Sequence, residues 1–253
     1  MKKPLLILPF ISLLVFMIVS FGFSYPVKKK VNHAVAKKGF ALVELFTSEG
    51  CSSCPPADEA VAALAKDYPA NVFVLCFHVD YWNYLGWKDE FSSAEYTSRQ
   101  EAYAAAFNLS SIYTPEAVIN GKTECTGSDK RKLYASVEEE LSSANHPVIE
   151  LSAKANGSKA IAVSYKANAD NKSMLHIALV QLQATSAVKR GENKGKQLHH
   201  VNVVRNFKTV PSAEGDVMIS IPEGLSANEC KIIVFMQNKN DMHISAAAEC
   251  MIQ

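Results

Sequence analysis

The chain has 253 residues, enough for one large domain or two small ones. Its 26 basic and 25 acidic residues leave a formal net charge of +1, which gives no electrostatic footprint for nucleic acid. Apolar residues make up 48%, the share of an ordinary globular protein.

Lys2 and Lys3 precede an uncharged stretch from Pro4 to Pro26 that is rich in Leu, Ile, Val and Phe. A basic start followed by an apolar core is the pattern of a secretory signal, so residues 1–25 are expected to export the rest of the chain. Ser20-Phe21-Gly22 and Gly22-Phe23-Ser24 are the candidate cleavage sites. Uncleaved, the stretch is long enough to anchor the protein in a bilayer, and this is the one expected membrane contact. Localisation is therefore expected to be periplasmic or secreted. Residues 26–39 are basic and polar and are expected to form a linker.

The apolar run Ala41-Leu42-Val43-Glu44-Leu45-Phe46 is short and bounded by turn residues, as a buried strand is. Cys51-Ser52-Ser53-Cys54 follows, then Pro55-Pro56. Ala57, Ala60, Val61, Leu64, Ala65 and Tyr68 lie at spacings of three and four, which predicts one apolar stripe on a helix. Two prolines cannot sit inside a running helix, so Cys54 belongs near the N-cap with Pro55 at the first helical position. Two residues between cysteines bring both sulfurs within bonding reach, and a helix N-terminus favours thiolate over thiol. A Cys-x-x-Cys at a strand-to-helix junction is the arrangement of a redox site of the thioredoxin type. In an oxidising compartment, Cys51 and Cys54 are expected to form a disulfide. A zinc site would need two more ligands at a recognisable spacing; Cys76, His78 and Cys125 do not supply it, so no metal is expected.

Asn71–His78 predicts a second buried strand, which makes a right-handed parallel crossover with the first. His78, Asp80, Trp82 and Trp87 lie on the aromatic loop that leaves its carboxyl end, where open α/β sheets place ligands. They are expected to wall the cysteines. Residues 91–107 predict an inserted helix from the spacing of Tyr96, Gln100, Tyr103 and Phe107. The Thr114–Pro115 bond precedes a short apolar strand and is expected to be cis, its loop facing Cys51 and Cys54. Asn120-Gly121 predicts a hairpin turn between Ala117–Ile119 and Thr123–Cys125. Gly127-Ser128-Asp129 supplies the cap of a closing helix whose buried line is Leu133, Val137 and Leu141.

This order, with Cys-x-x-Cys after the first strand and Thr-Pro before the third, resembles the thioredoxin-like fold over residues 40–146. The stretch Val43–Asp58 is similar to the exported family catalogued as domain of unknown function 1223. So are His78-Val79-Asp80-Tyr81-Trp82, Leu85-Gly86-Trp87-Lys88-Asp89, Arg99-Gln100, Tyr113-Thr114-Pro115, Gly191-Glu192-Asn193 and His200-Val201-Asn202-Val203-Val204-Arg205. The resemblance covers nearly the whole mature chain and implies a thioredoxin-like domain; it implies no substrate. In thioredoxin-like proteins a buried acid in the first strand often relays the proton of the second cysteine, which points to Glu44. The other reading of Glu44 is an ion pair at the strand end, since an unpartnered carboxylate in a central strand is costly.

Beyond residue 146 the pattern changes to alternation, at Ile149-Leu151, Ile161-Val163-Tyr165, Leu175-Ile177-Leu179, Val217-Ile219-Ile221 and Ile232-Val234. Turn residues such as Asn156-Gly157, Asp170-Asn171 and Glu223-Gly224 separate the runs. Residues 147–253 are thus expected to form a small antiparallel β domain, sandwich-like. Residues 189–200 read as a polar loop, with His199 and His200 too weak a pair to define a metal site. A hairpin centred on Asn240 would set Cys230 opposite Cys250 within disulfide reach, although the pairing is sensitive to register.

The function expected is thiol–disulfide oxidoreductase chemistry outside the cytoplasm. Cys51 is the exposed attacking thiolate, Cys54 the less accessible resolving thiol, and Thr114 and Pro115 meet the substrate backbone. Its partners would be a thiol or disulfide protein substrate and a redox partner, and no cofactor is implied. The competing readings are a binding module with a structural Cys51–Cys54 disulfide and a copper-handling module.

Overall fold

The computed structural model describes residues 39–143, 148–168, 172–211 and 213–253. The N-terminal segment, the linker up to residue 38 and the Asp170-Asn171 turn lie outside the described residues. Among those described, no helix is long and apolar enough to cross a membrane.

The first half follows the sequence pattern closely. Strand β1 (Ala41–Thr47) leads through the cysteine turn into α1 (Pro55–Asp67), and β2 (Val72–His78) returns parallel to β1 with Thr47 beside His78. Helix α2 (Ala94–Phe107) is capped by the Ser93 side chain, which accepts from the Glu95 N–H. Strands β3 (Glu116–Ile119) and β4 (Thr123–Thr126) form the expected hairpin. Asn120 and Gly121 both have positive φ, 48° and 64°, as a tight primed turn requires. A Cβ on Gly121 would meet the Met242 carbonyl oxygen at 1.9 Å, so the turn also needs glycine for close packing. Helix α3 (Lys130–Ser142) starts at Asp129, whose side chain accepts from the Lys132 N–H.

The second half adds β5 (Ile149–Asn156), β6 (Ala160–Ala167), β7 (Ser173–Ala187), β8 (Gln197–Val210), β9 (Glu214–Ser220), β10 (Cys230–Asn238) and β11 (Ile244–Met251). The fold is α/β. One eight-stranded mixed sheet runs β11-β10-β7-β8-β2-β1-β3-β4, and a second antiparallel sheet runs β5-β6-β9. The large sheet crosses the boundary expected after residue 146, because β8 joins β2 in parallel at Cys76 and Val203. The two halves therefore share a backbone ladder and one compact unit, rather than being separate β and α/β bodies.

Three apolar clusters follow from this layout. Ala41, Val43 and Leu45 of β1 pack with Ala57, Val61 and Leu64 of α1 and with Leu133 and Val137 of α3. The alternate β1 residues, Leu42 and Phe46, face the other way toward Tyr96 and Tyr103 of α2 and Phe235 of β10. The third cluster lies between the small sheet and β7, β10 and β11, so the sandwich borrows one of its layers from the large sheet.

The Cys230–Cys250 pairing is corrected by register. Cys250 stands opposite Ile232, while Cys230 pairs with Gln181 of β7. The hairpin closes with Asn238 N–H donating to the His243 carbonyl, and an irregularity between Met236 and Gln237 displaces the strands further. The resulting slip of two residues keeps both side chains on one face but makes them diagonal neighbours, and both thiols are free and buried.

Candidate functional site

Cys51 and Cys54 form a disulfide, with their Cα atoms 5.4 Å apart. Cys54 is the N-cap of α1, with helical φ and ψ of −78° and −37°, and Pro55 follows at the first helical position. The Cys54 carbonyl accepts from the N–H groups of Ala57 and Asp58. The Thr114–Pro115 bond is cis. The Thr114 carbonyl oxygen lies 3.8 Å from Cys51 Sγ, and the Ser53 hydroxyl is 3.2 Å from the same sulfur.

Cys51 is not the exposed sulfur expected: both cysteines are 0% accessible. The loop of residues 188–196 between β7 and β8 is bonded to the cysteine turn as a strap. The Asn193 amide donates to the carbonyls of Glu49 and Cys51, each at 2.9 Å. The Ser52 N–H donates to the Glu192 carboxylate at 3.0 Å, and the Lys196 ammonium holds Asn193 Oδ1 at 2.9 Å. The Ser52 side chain first, and then its N–H, hold the Glu192 carboxyl below its ordinary range.

The residues expected to wall the cysteines bond to groups around the cysteine turn or farther away. Trp82 Nε1 donates to Thr114 Oγ1 at 2.7 Å, and Trp87 Nε1 donates to Glu49 Oε2 at 2.6 Å. A Cβ on Gly50 would meet Trp82 Cβ at 2.9 Å, so glycine is needed where the turn presses on the base of the Trp82 side chain. His78 Nδ1 lies 2.7 Å from Asp89 Oδ2. Asp89 also accepts from the N–H groups of Glu49 and Phe91. Burial pushes the Asp89 carboxyl up, but His78 and the two backbone donors outweigh it and hold it below its usual range. Asp80 belongs elsewhere: its carboxylate accepts from the Thr97 hydroxyl of α2 at 2.7 Å.

Glu44 is corrected from proton relay to ion pair. It lies on the face of β1 that also presents Leu42 and Phe46, whereas the helix beginning at Cys54 packs on the opposite face. Arg99 Nε donates to Glu44 Oε2 at 2.5 Å, and Arg99 Nη2 and the Tyr103 hydroxyl donate to Oε1 at 2.9 and 2.5 Å. Gln237 completes the group by accepting from Arg99 and donating to Tyr103 at 2.8 Å.

A polar cluster that the sequence reading missed lies beside the cysteine turn. His199 and His200 are on β8, not in a loop; His199 points outward and His200 is buried. His200 Nε2 is 3.5 Å from Glu49 Oε1, and its Nδ1 is 3.3 Å from Asp58 Oδ2 of α1. Its ring meets the rings of His78 at 4.8 Å and Phe91 at 5.8 Å between centroids. Burial opposes the imidazolium, but Asp58 and Glu49 prevail and push His200 up to about 9. Glu49 adjoins the cysteine turn and Asp58 lies four residues beyond Cys54, so proximity in sequence was the available signal for both. For His200 the signal was the family resemblance of His200–Arg205, which implied no role for the imidazole.

On the far side of the cis bond, Glu116 is buried at the start of β3. Its Oε2 accepts from the Gln100 amide at 2.6 Å, and burial pushes its carboxyl up to about 7. Among the described residues, no group of three or more His, Cys, Asp or Glu side chains is arranged to hold a metal ion.

None of the curated proteins matches the chain. A crystal structure of a protein from Agrobacterium tumefaciens, a structural-genomics target, is similar at 30% identity and a TM-score of 0.62; the alignment covers 83% of this chain and 93% of that one. A domain of the outer membrane lipoprotein Omp28 from Porphyromonas gingivalis aligns at 16% identity and a TM-score of 0.27, over 43% of this chain and 88% of that one, a level at which no shared fold is read. The family described as protein of unknown function (DUF1223) matches residues 42–237, and the chain belongs to it.

Proposed function

We propose that the protein is an exported thiol–disulfide oxidoreductase with a thioredoxin-like core, working through Cys51 and Cys54. The observation that carries the reading is the packing of Cys51 Sγ against the Thr114 carbonyl, with Cys54 at the N-cap of α1. A substrate sulfur approaching Cys51 would arrive beside a backbone carbonyl free of a ladder partner, while the leaving sulfur sits at the positive end of a helix. The thioredoxin-like assignment rests on the order β1-α1-β2-α2-β3-β4-α3, the sheet order β2-β1-β3-β4 within it and the cis Pro115 facing the disulfide. Export rests on the basic and apolar N-terminal sequence.

The closed strap favours a second reading, in which the disulfide is a permanent brace of a binding module. Equilibration of the full mature chain with glutathione buffers separates the two. Exchange chemistry predicts a reduction potential between about −120 and about −270 mV, whereas a brace predicts a value below about −300 mV. A Cys54→Ser variant gives the matching chemical test. It should accumulate a mixed disulfide on Cys51 when offered an oxidised protein or glutathione disulfide; absence of any adduct in a folded variant counts against exchange.

A further inference from the structure

The buried cluster beside the disulfide joins three segments distant in sequence. Glu49 comes from the turn after β1, Asp58 from α1 and His200 from β8, and all three are buried. Cys54 has helical backbone angles and its carbonyl takes the Asp58 N–H, so the two residues stand one turn apart on one helix face. At that spacing Cβ atoms lie about 5–6 Å apart. An uncompensated Asp58 carboxylate there would repel a thiolate on Cys54. His200 is the cation that meets it, with Nδ1 3.3 Å from Asp58 Oδ2. The other groups facing the imidazole are Glu49, His78 with Asp89 behind it, and Phe91, on which Arg205 stacks at 4.8 Å. The ring nitrogens of His200 have these contacts and no shorter hydrogen bond, so the imidazolium is held by charge rather than by a matched network.

We propose that His200 is a positioning residue for thiol–disulfide exchange: by neutralising Asp58 it keeps Cys54 able to leave as a thiolate. The inference rests on the oxidoreductase reading above. In the step concerned, a thiolate of a substrate dithiol attacks Cys51 Sγ. A new sulfur–sulfur bond forms, the Cys51–Cys54 bond breaks, and its electron pair stays on Cys54 Sγ beside Asp58. The substrate's second thiolate then attacks its own sulfur in the mixed disulfide and releases Cys51 as a thiolate. The substrate dithiol has been oxidised to a disulfide, the protein disulfide has been reduced, and the two protons lost by the substrate thiols go to water or to the new thiolates.

Charge compensation makes an unusual demand: substitutions on the two sides of one contact must act in opposite directions. His200→Gln leaves Asp58 uncompensated and should raise the proton affinity of Cys54, lowering its thiolate fraction about tenfold, one pH unit. Asp58→Asn leaves the imidazolium and should raise that fraction about tenfold. The readout is thiolate ultraviolet absorbance against pH in full-length chains carrying Cys51→Ser. Burial pushes the thiols of Cys125, Cys230 and Cys250 up to about 11, 11 and 12 and that of Cys76 well above its ordinary value, so they stay silent near neutrality. The second readout is the exchange constant with glutathione in chains keeping both cysteines. His200→Gln should make the disulfide about tenfold harder to reduce and Asp58→Asn about tenfold easier, about 30 mV each way. Shifts in opposite directions support the proposal. Shifts in the same direction, or none, overturn it while wild-type exchange keeps the oxidoreductase reading intact. A wild-type disulfide that never equilibrates with glutathione overturns both. If His200→Gln does not fold, Asp58→Asn decides alone, an unchanged exchange constant sinking the proposal.

Discussion

Around Glu44 every carboxylate oxygen has a donor within 2.9 Å, whereas around His200 the nearest acidic oxygens stand at 3.3 and 3.5 Å. Both groups are buried, both join the two halves of the chain, and both centre on a cation between elements far apart in sequence. In the first, Arg99 is also enclosed by the rings of Phe77, Tyr103, Phe207 and Phe235 at 5.0–5.6 Å, and nothing in it is left to change partner. In the second, Glu49 Oε1, His78 Nε2 and both His200 nitrogens are buried without a protein hydrogen bond. A satisfied network fixes one arrangement, and an under-satisfied one is costly unless its charges have a further task. The loose cluster is the one beside the disulfide.

The largest effect should come from breaking the tight cluster. Arg99→Met leaves the Glu44 carboxylate buried and unpaired and should cost about 3–5 kcal/mol in denaturant unfolding. Replacing both partners, with Glu44→Leu added, should recover most of that loss, because a buried ion pair is often matched by apolar residues of similar volume. The disulfide's exchange with glutathione should be unaltered in a folded Glu44→Gln chain. Loss of exchange there would erase the distinction between the two clusters and restore Glu44 as a proton relay.

The next effect is a pH window. His200 is raised from an unfolded value near 6.5 to about 9 in the folded chain. A histidine with a raised folded pKa contributes stability that is fully present below its unfolded pKa and is lost as pH rises through the folded one. Between about pH 6.5 and about pH 9 the protein should lose stability on the order of 3 kcal/mol from this group. His176, buried and stacked on Phe207, acts oppositely: burial pushes it down to about 3, so its contribution falls as pH drops below about 6.5. Unfolding midpoints across this range should show the alkaline decline in wild type and its absence in His200→Gln, with the acid decline kept in both. An alkaline slope that survives the substitution would mean the loose cluster does not hold a charged histidine.

The contrast also explains how far the chain could be read. The first half is legible because its apolar periods match its elements, from Ala41–Phe46 through the α1 stripe to Leu133 and Val137. Cys54 at the N-cap, the cis Thr114–Pro115 bond and the Asn120-Gly121 turn follow from backbone chemistry that proline and glycine write directly into the sequence. Strand β8 was hidden for the reason that makes it interesting. Its inward positions include His200 and Asn202, and Asn202 takes a positive φ of 51°, so the alternation that marks a strand is carried by polar residues. The Cys230–Cys250 register was hidden because a bulge and a turn offset leave no compositional trace. The strap on the cysteine turn was hidden because its bonds come from Glu192 and Asn193, some 140 residues away in the chain.

That strap supplies the smallest and most local of the expected effects. Asn193 makes two side-chain bonds to backbone carbonyls, one of them the carbonyl of Cys51 itself. Each such bond contributes about 1 kcal/mol net, so Asn193→Ala should cost global stability no more than about 2 kcal/mol. Its effect on access should be clearer. If the strap must lift before a thiolate can reach Cys51, weakening its latch by about 1.4 kcal/mol speeds reduction by a small dithiol about tenfold. The equilibrium exchange constant should hardly change, because the latch acts on the route to the sulfur and not on the charge beside it. Glu192→Gln should act in the same direction and more weakly, since its carboxylate is exposed and screened by water. The two variants should therefore separate in rate from His200→Gln, which shifts the equilibrium. A reduction rate untouched by Asn193→Ala, in a chain that still exchanges, would show that the sulfur is reached from the Thr114 side without any movement of the strap.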